Sequence, residues 1–238
     1  MTFSILAVEP DRRRIGLAIA SRFLAVGSYC LYARGGVGAV VTQGLGNPVL
    51  GVRGLELLGR GEAPAAALDA LLADDAQADW RQTMIASIDG RIAARTGSQC
   101  GAWAGEAVDG TVAVAGNLLN GPSVVERVLE AFRASPSSTL ADRLMDALSA
   151  GQSEGGDWRG MQAAALQIWP DECYPEVDLR VDDHPDPIAE LRRLHRRHLS
   201  EDVQQVRATM PTNTNSTPSY PPVGDISASL KTNQELEE

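Results

Sequence analysis

The sequence predicts an α+β protein in which two packed β-sheets carry helices on both outer faces. Three observations point there. The segments read as strands, two helices, a hairpin, a strand, two helices, a strand and a helix, an order that suits layered sheets and helices. Asp89-Gly90 lies between two β-type runs, and such a turn joins antiparallel strands, so an open parallel sheet fits less well. Ile15–Ala20 is apolar on both faces, as a strand covered on two sides is.

Thr2–Val8 reads as the first strand and Glu9–Arg14 as a polar turn. Ile15–Ala20 follows as a second strand, ended by Ser21-Arg22. Phe23–Arg34 is irregular, and Ala39–Gln43 is a third strand. Asn47-Pro48 reads as an N-cap with proline at the first helical position, opening a helix over Pro48–Leu58. Pro64–Ala73 is a second helix, rich in Ala and Leu. Thr83–Ile88 and Arg91–Thr96 flank the Asp-Gly turn, and Thr111–Ala115 is a short strand. Helices are expected over Pro122–Phe132 and Thr139–Ala150, the latter with Thr139 and Asp142 spaced as a capping box. A flexible loop is expected at Gly151–Gly156, strands at Met161–Trp169 and Val177–Val181, and a helix at Pro187–Leu199. Residues 1–205 read as one domain. Residues 206–238 turn to Pro, Ser, Thr and Asn with almost no apolar run, the composition of a disordered tail.

Composition excludes several function classes. The chain has 238 residues, 44% hydrophobic, with a net charge of −10. That acidic balance disfavours nucleic acid or an anionic membrane surface as partner. No apolar run reaches the ~18 residues of a membrane span, and no basic-then-apolar leader opens the chain, so a cytoplasmic location is expected. Lys231 is the single lysine, which removes Schiff-base, P-loop and Ser–Lys chemistry from the body of the chain. Cys30, Cys100 and Cys173 form no CxxC, so neither a disulfide framework nor a zinc site is expected. Asp182, Asp183, His184 and Asp186 lie where capping and solvation account for them, and no metal or organic cofactor is expected.

The first stretch carries the chemistry. Threonine follows the initiator Met1, which is normally trimmed before so small a residue. Thr2 would then hold a hydroxyl and a free α-amine together. A hydroxyl needs a nearby base to act as a nucleophile, and an α-amine with a pKa of about 7.7–8.0 is one. Gln43-Gly44-Leu45-Gly46-Asn47 stands at a strand end before a helix N-terminus, where unpaired N–H groups and the helix dipole favour a developing oxyanion.

Several motifs together resemble one family: Thr2-Phe3-Ser4-Ile5, Ala20-Ser21-Arg22-Phe23, Gly36-Val37-Gly38-Ala39-Val40, Thr42-Gln43, Gly116-Asn117-Leu118-Leu119 and Val177-Asp178-Leu179-Arg180-Val181-Asp182-Asp183-His184. Over roughly residues 1–200 the chain is similar to the DUF1028 family, which is grouped with the N-terminal nucleophile (Ntn) hydrolases. The resemblance implies a four-layer αββα sandwich and amide hydrolysis by an N-terminal Thr, Ser or Cys. It implies Thr2 as nucleophile and Ser21 and Arg22 as polar residues beside it. Gly44 and Gly46 correspond to the turn that supplies the oxyanion donor in the proteasome-like branch, with Gln43 and Asn47 flanking them. Asn117 matches the side-chain oxyanion donor of some Ntn amidases. Asn120 stands close by, where it also reads as the cap of the next helix. That branch keeps a lysine beside its nucleophile; here Arg34 is the nearest replacement by position, able to tune the amine electrostatically but not to shuttle a proton.

The expected function is therefore hydrolysis of a small amide or peptide-like substrate through an acyl-enzyme. A catalytically silent protein of the same fold, binding a small ligand or a protein partner, stays open. Ala-rich helices on outer faces also leave room for a homo-oligomer.

Overall fold

The computed structural model describes residues 2–137, 139–155 and 160–218. Met1, Gly156 and residues 219–238 of the polar tail lie outside the described residues. The chain divides into two compact units, Met1–Leu191 and Arg192–Glu238.

The first unit holds two antiparallel sheets. Strands β1 (Thr2–Glu9), β2 (Arg14–Ser21), β7 (Ala104–Asp109), β8 (Val112–Asn117), β9 (Ala163–Trp169) and β10 (Val177–Val181) form one, in the order β10-β9-β2-β1-β8-β7. Strands β3 (Leu31–Arg34), β4 (Gly38–Gly44), β5 (Arg81–Ser87) and β6 (Ile92–Thr96) form the other, in chain order. Strand period sorts their side chains. Leu6, Val8, Leu17, Ile19, Ala113 and Ala115 of the six-stranded sheet share one core with Ala39, Val41, Met84 and Ala86 of the four-stranded sheet. On the opposite face of the smaller sheet, Val40 and Ile85 pack with Leu50 and Leu58 of α2 (Pro48–Gly59) and with Leu68 and Leu71 of α3 (Pro64–Ala73). Helices α4 (Ser123–Ala134) and α5 (Leu140–Ser153) pack on each other and on the larger sheet.

Local signals explain most of these elements. Asn47 caps α2 by accepting from the Val49 N–H at 3.1 Å, with Pro48 at the first helical position. Thr139 caps α5 by accepting from the Asp142 N–H at 3.1 Å. α3 has the bounds the sequence predicts.

Other expectations need correction. The stretch read as irregular, Phe23–Arg34, forms a short helix α1 (Val26–Cys30) and β3. Five residues show no helical period, and α1 opens on Ala25 in a left-handed conformation rather than on a capping side chain. The hairpin loop is longer than two residues: β5 ends at Ser87 and β6 begins at Ile92. β7 has no counterpart in the sequence reading; it is an edge strand with partial burial and a glycine inside it. Gly151 belongs to α5, not to a loop. A Cβ there would stand 2.5 Å from Val128 and 2.9 Å from Phe3, so glycine lets α5 approach both α4 and the sheet. Asn120 does not cap α4. The cap position is Pro122, and Asn120 Nδ2 donates to the Gly155 carbonyl at 3.3 Å.

The second unit contains most of α6 (Pro187–His198) and α7 (Glu201–Arg207), a helix the sequence reading lacks. Arg197 makes two hydrogen bonds of 2.7 Å to the Asp202 carboxylate and holds that group below its ordinary pKa. Among the described residues no helix is long and apolar enough to cross a membrane.

Candidate active site

β1 runs between β2 and β8, so its first residue has a neighbour on each side. Thr2 is in register with Ser21 at the end of β2 and with Asn117 at the end of β8. By strand period Thr2 shares a face with Ser4, Leu6 and Val8, the face that builds the core common to both sheets. Thr2 Oγ1 lies 2.9 Å from Ser21 Oγ, which also accepts the Phe23 N–H at 3.0 Å. These residues open onto a cavity of about 520 Å³, also lined by Arg22, Gln43 and the Gly44–Gly46 turn.

Behind Thr2 a buried polar network ties the sheets together. Ser4 donates to Gln43 Oε1 at 2.7 Å, and Gln43 Nε2 donates to Gln82 Oε1 at 2.7 Å. Asn117 Nδ2 donates to that same Gln82 oxygen at 3.1 Å. Gln82 Nε2 is held by the Gly116 carbonyl at 2.8 Å, Thr96 Oγ1 at 2.8 Å and the Gly105 carbonyl at 3.1 Å. Its amide therefore has one orientation, with the oxygen toward Gln43 and Asn117. Gln82 is 1% exposed and Asn117 3%. An amide nitrogen carries two hydrogens. Gln82 takes one from Asn117, and Asn117 lines the cavity.

The turn after β4 supplies backbone donors. Gly44 has φ +79°, a conformation side chains rarely adopt, and a Cβ there would come within 2.8 Å of the Trp80 carbonyl. The Leu45 N–H donates to that carbonyl at 3.0 Å, and the Asn47 N–H to Thr42 Oγ1 at 3.2 Å. Among the described residues the Gly46 N–H makes no hydrogen bond, and Gly46 lines the cavity. The turn is braced from outside. Asp75 Oδ2 accepts from Arg81 Nε at 2.8 Å and from Asn47 Nδ2 at 3.0 Å, while Arg81 Nη1 donates to the Leu45 carbonyl. The Arg81 hydrogen bond is the largest influence holding the Asp75 carboxyl at about 2, helped by Asn47 and the Gln77 N–H and opposed by burial.

Two strained residues flank the cavity. Leu118 has φ +56° and Ala25 φ +52°, each costing on the order of 1–2 kcal/mol for a residue with a side chain. Cys30 also lines this cavity; burial pushes its pKa up to about 12. A thiol so disfavoured as thiolate is a poor nucleophile.

The structure brings together Thr2, Ser21, Arg22, Gln43, Gly44, Gly46 and Asn117 on this cavity. It leaves out three residues that the sequence placed there. Arg34 shares its face of β3 with Tyr32, toward α2, and Arg34 Nη2 donates to the Leu55 carbonyl at 3.3 Å. The strand alternation that turns Ala33 into the shared core turns Arg34 away from Thr2. Arg22 is thus the arginine at the cavity. The Asn47 side chain is committed to Val49 and Asp75, and Asn120 to Gly155. Ser4 and Gln82 were not legible as site residues. Ser4 carries a weak signal, two residues from Thr2 on the same strand face. Gln82 carries none, since its role arises from its register with Gln43. Among the described residues no cluster of three His, Cys, Asp or Glu is placed to hold a metal ion.

A family model described as a family of unknown function, DUF1028, matches residues 2–191. The chain belongs to the DUF1028 family. Among solved structures, protein SPO2555 from Silicibacter pomeroyi, itself assigned to DUF1028, is 30% identical with a TM-score of 0.85, over 92% of this chain and 99% of that one. The Anbu (ancestral β-subunit) protein from Yersinia bercovieri is 14% identical over 89% of this chain and 98% of its own, with a TM-score of 0.40. That likeness is too slight to carry an argument. No curated protein matches. Every residue that lines the cavity falls inside the DUF1028 match.

Proposed function

We propose that this DUF1028 protein is an amide hydrolase of the N-terminal nucleophile type, built as a four-layer αββα sandwich. The observation that carries the reading is the position of Thr2. It stands at the head of a central strand, 2.9 Å from a second hydroxyl, in a cavity that also presents a side-chain amide and a strand-to-helix turn. The layering is supported by the core shared between the sheets and by helices on the outer face of each.

Removal of Met1 frees the Thr2 α-amine; while the peptide bond stands, that nitrogen is an amide without basicity. The amine takes the proton from Oγ1 as the oxygen attacks the amide carbonyl carbon. The Gly46 N–H and the second Asn117 N–H stabilise the oxyanion. The amine passes its proton to the leaving nitrogen, the C–N bond breaks, and the acyl group stays on Thr2 as an ester. Water, deprotonated by the same amine, attacks that ester; the C–Oγ1 bond breaks, the amine returns the proton to Oγ1, and the acid is released. Ser21 orients Oγ1. Arg22 supplies positive charge at the cavity without moving a proton. The substrate is a small amide or peptide-like molecule, and no step requires a metal or organic cofactor.

The test is hydrolysis of a panel of small amides by wild-type protein and by Thr2→Ala. Turnover in the wild type that disappears in Thr2→Ala, with unchanged circular dichroism, supports the assignment. Equal turnover by both places the chemistry elsewhere.

A further inference from the structure

The cavity is divided in character. Thr2, Ser21, Gln43 and Asn117 gather its uncharged polar groups around the nucleophile, and much of the remaining wall is apolar. Phe23 is 61% exposed, Leu45 57%, Tyr29 52% and Leu118 48%, so several large apolar side chains beside the nucleophile stand uncovered. Small-molecule cavities are typically walled by apolar and aromatic side chains with a few convergent polar groups, the division present here. Phe23 and Tyr29 meet edge to face with centroids 5.9 Å apart, a firm corner in that wall. Leu118 is held there by a backbone conformation that leucine rarely adopts. A volume of about 520 Å³ accommodates a small molecule, not a folded chain.

Given Thr2 as nucleophile, we infer that the acyl half of the substrate is a compact apolar group, a single ring or a chain of about six carbons, seated against Phe23, Tyr29, Leu45 and Leu118. The acyl half is the part that stays bonded to Thr2 between the two steps. It therefore needs a seat in the cavity that Thr2 lines, while the amine half departs. Arg22 is the charged residue on that wall, and a carboxylated acyl group is the competing occupant.

The experiment uses Thr2→Ala protein, which cannot turn over, and measures binding of neutral amides by ligand-observed NMR titration. Affinity rises by about fourfold per methylene where each is buried. At least a tenfold gain is expected from acetamide to hexanamide, with phenylacetamide comparable. Leu118→Gly, which suits the left-handed backbone, and Phe23→Ser, at an exposed position, should each cut that gain severalfold when added to Thr2→Ala. A flat series, or succinamate binding more tightly than hexanamide, overturns the inference. A rising series without wild-type turnover of any of these amides contradicts the nucleophile assignment and leaves the apolar seat intact.

Discussion

The layer between the two sheets has two ends of opposite character. Toward one end, Leu6, Leu17, Val41 and Met84 interdigitate as an apolar core. At the other, β1, β4, β5 and β8 place Ser4, Gln43, Gln82 and Asn117 on the faces that meet between the sheets, all buried and joined by hydrogen bonds. Apolar packing stabilises by area and tolerates rearrangement. A buried amide network stabilises little in net terms but costs several kcal/mol when one member is removed, and it allows few arrangements. The polar end is therefore built for geometry. It fixes Asn117 and the end of β4 relative to Thr2, which the apolar end has no means to do.

Substitutions at the two ends separate these roles. Thr2→Ala should have the largest effect, lowering amide hydrolysis at least about 10³-fold with the unfolding midpoint unchanged. Gln82→Leu should move both readouts. It strands Asn117 Nδ2, leaves Gln43 Nε2 with the Ala115 carbonyl alone and takes a donor from the Gly116 carbonyl, so destabilisation of about 3 kcal/mol in a urea titration is expected, together with a fall in kcat/KM of roughly 30-fold. Leu17→Ala, at the apolar end, should cost about 3 kcal/mol and leave kcat/KM within about threefold below the unfolding transition. If Leu17→Ala lowers turnover as much as Gln82→Leu, the two ends are not functionally distinct.

The smallest effect concerns the brace behind the turn. The Asp75 carboxyl is held at about 2, below its ordinary value, so its ion pair stabilises the fold fully above pH ~4. That contribution is lost as pH falls from ~4 toward 2, because the unfolded chain then binds a proton that the folded chain resists. A loss of about 1–2 kcal/mol over that interval is expected, allowing for solvent screening, and Asp75→Asn should remove this part of the acid dependence. Urea titrations of both proteins between pH 2 and 5 measure it.

Much of this architecture can be read locally. Asn47-Pro48 marks the start of α2, Thr139 and Asp142 the start of α5, and Asp89-Gly90 a hairpin, because caps and turns depend on neighbouring residues. Thr2, Ser21 and Asn117 were legible as residues at strand ends. What failed depends on distant pairings. Gln82 is an ordinary polar residue in a strand until β4 and β5 align it with Gln43. Arg34 looked like a substitute for a missing lysine, but the side of β3 it occupies is set by Tyr32 and Ala33 packing in opposite directions. Asn120 looked like a helix cap, yet its partner lies 35 residues away at Gly155. α1 is too short to leave a period in the sequence.

One measurement bears most directly on Thr2 as a nucleophile with a free amine. Purified protein is treated with an acylating probe such as a β-lactone, then weighed intact and mapped by peptide mass spectrometry. A chain lighter by one methionine is expected, with a single adduct on the peptide that begins with Thr2, absent from Thr2→Ala. Retention of Met1, or an adduct that persists in Thr2→Ala, would contradict it.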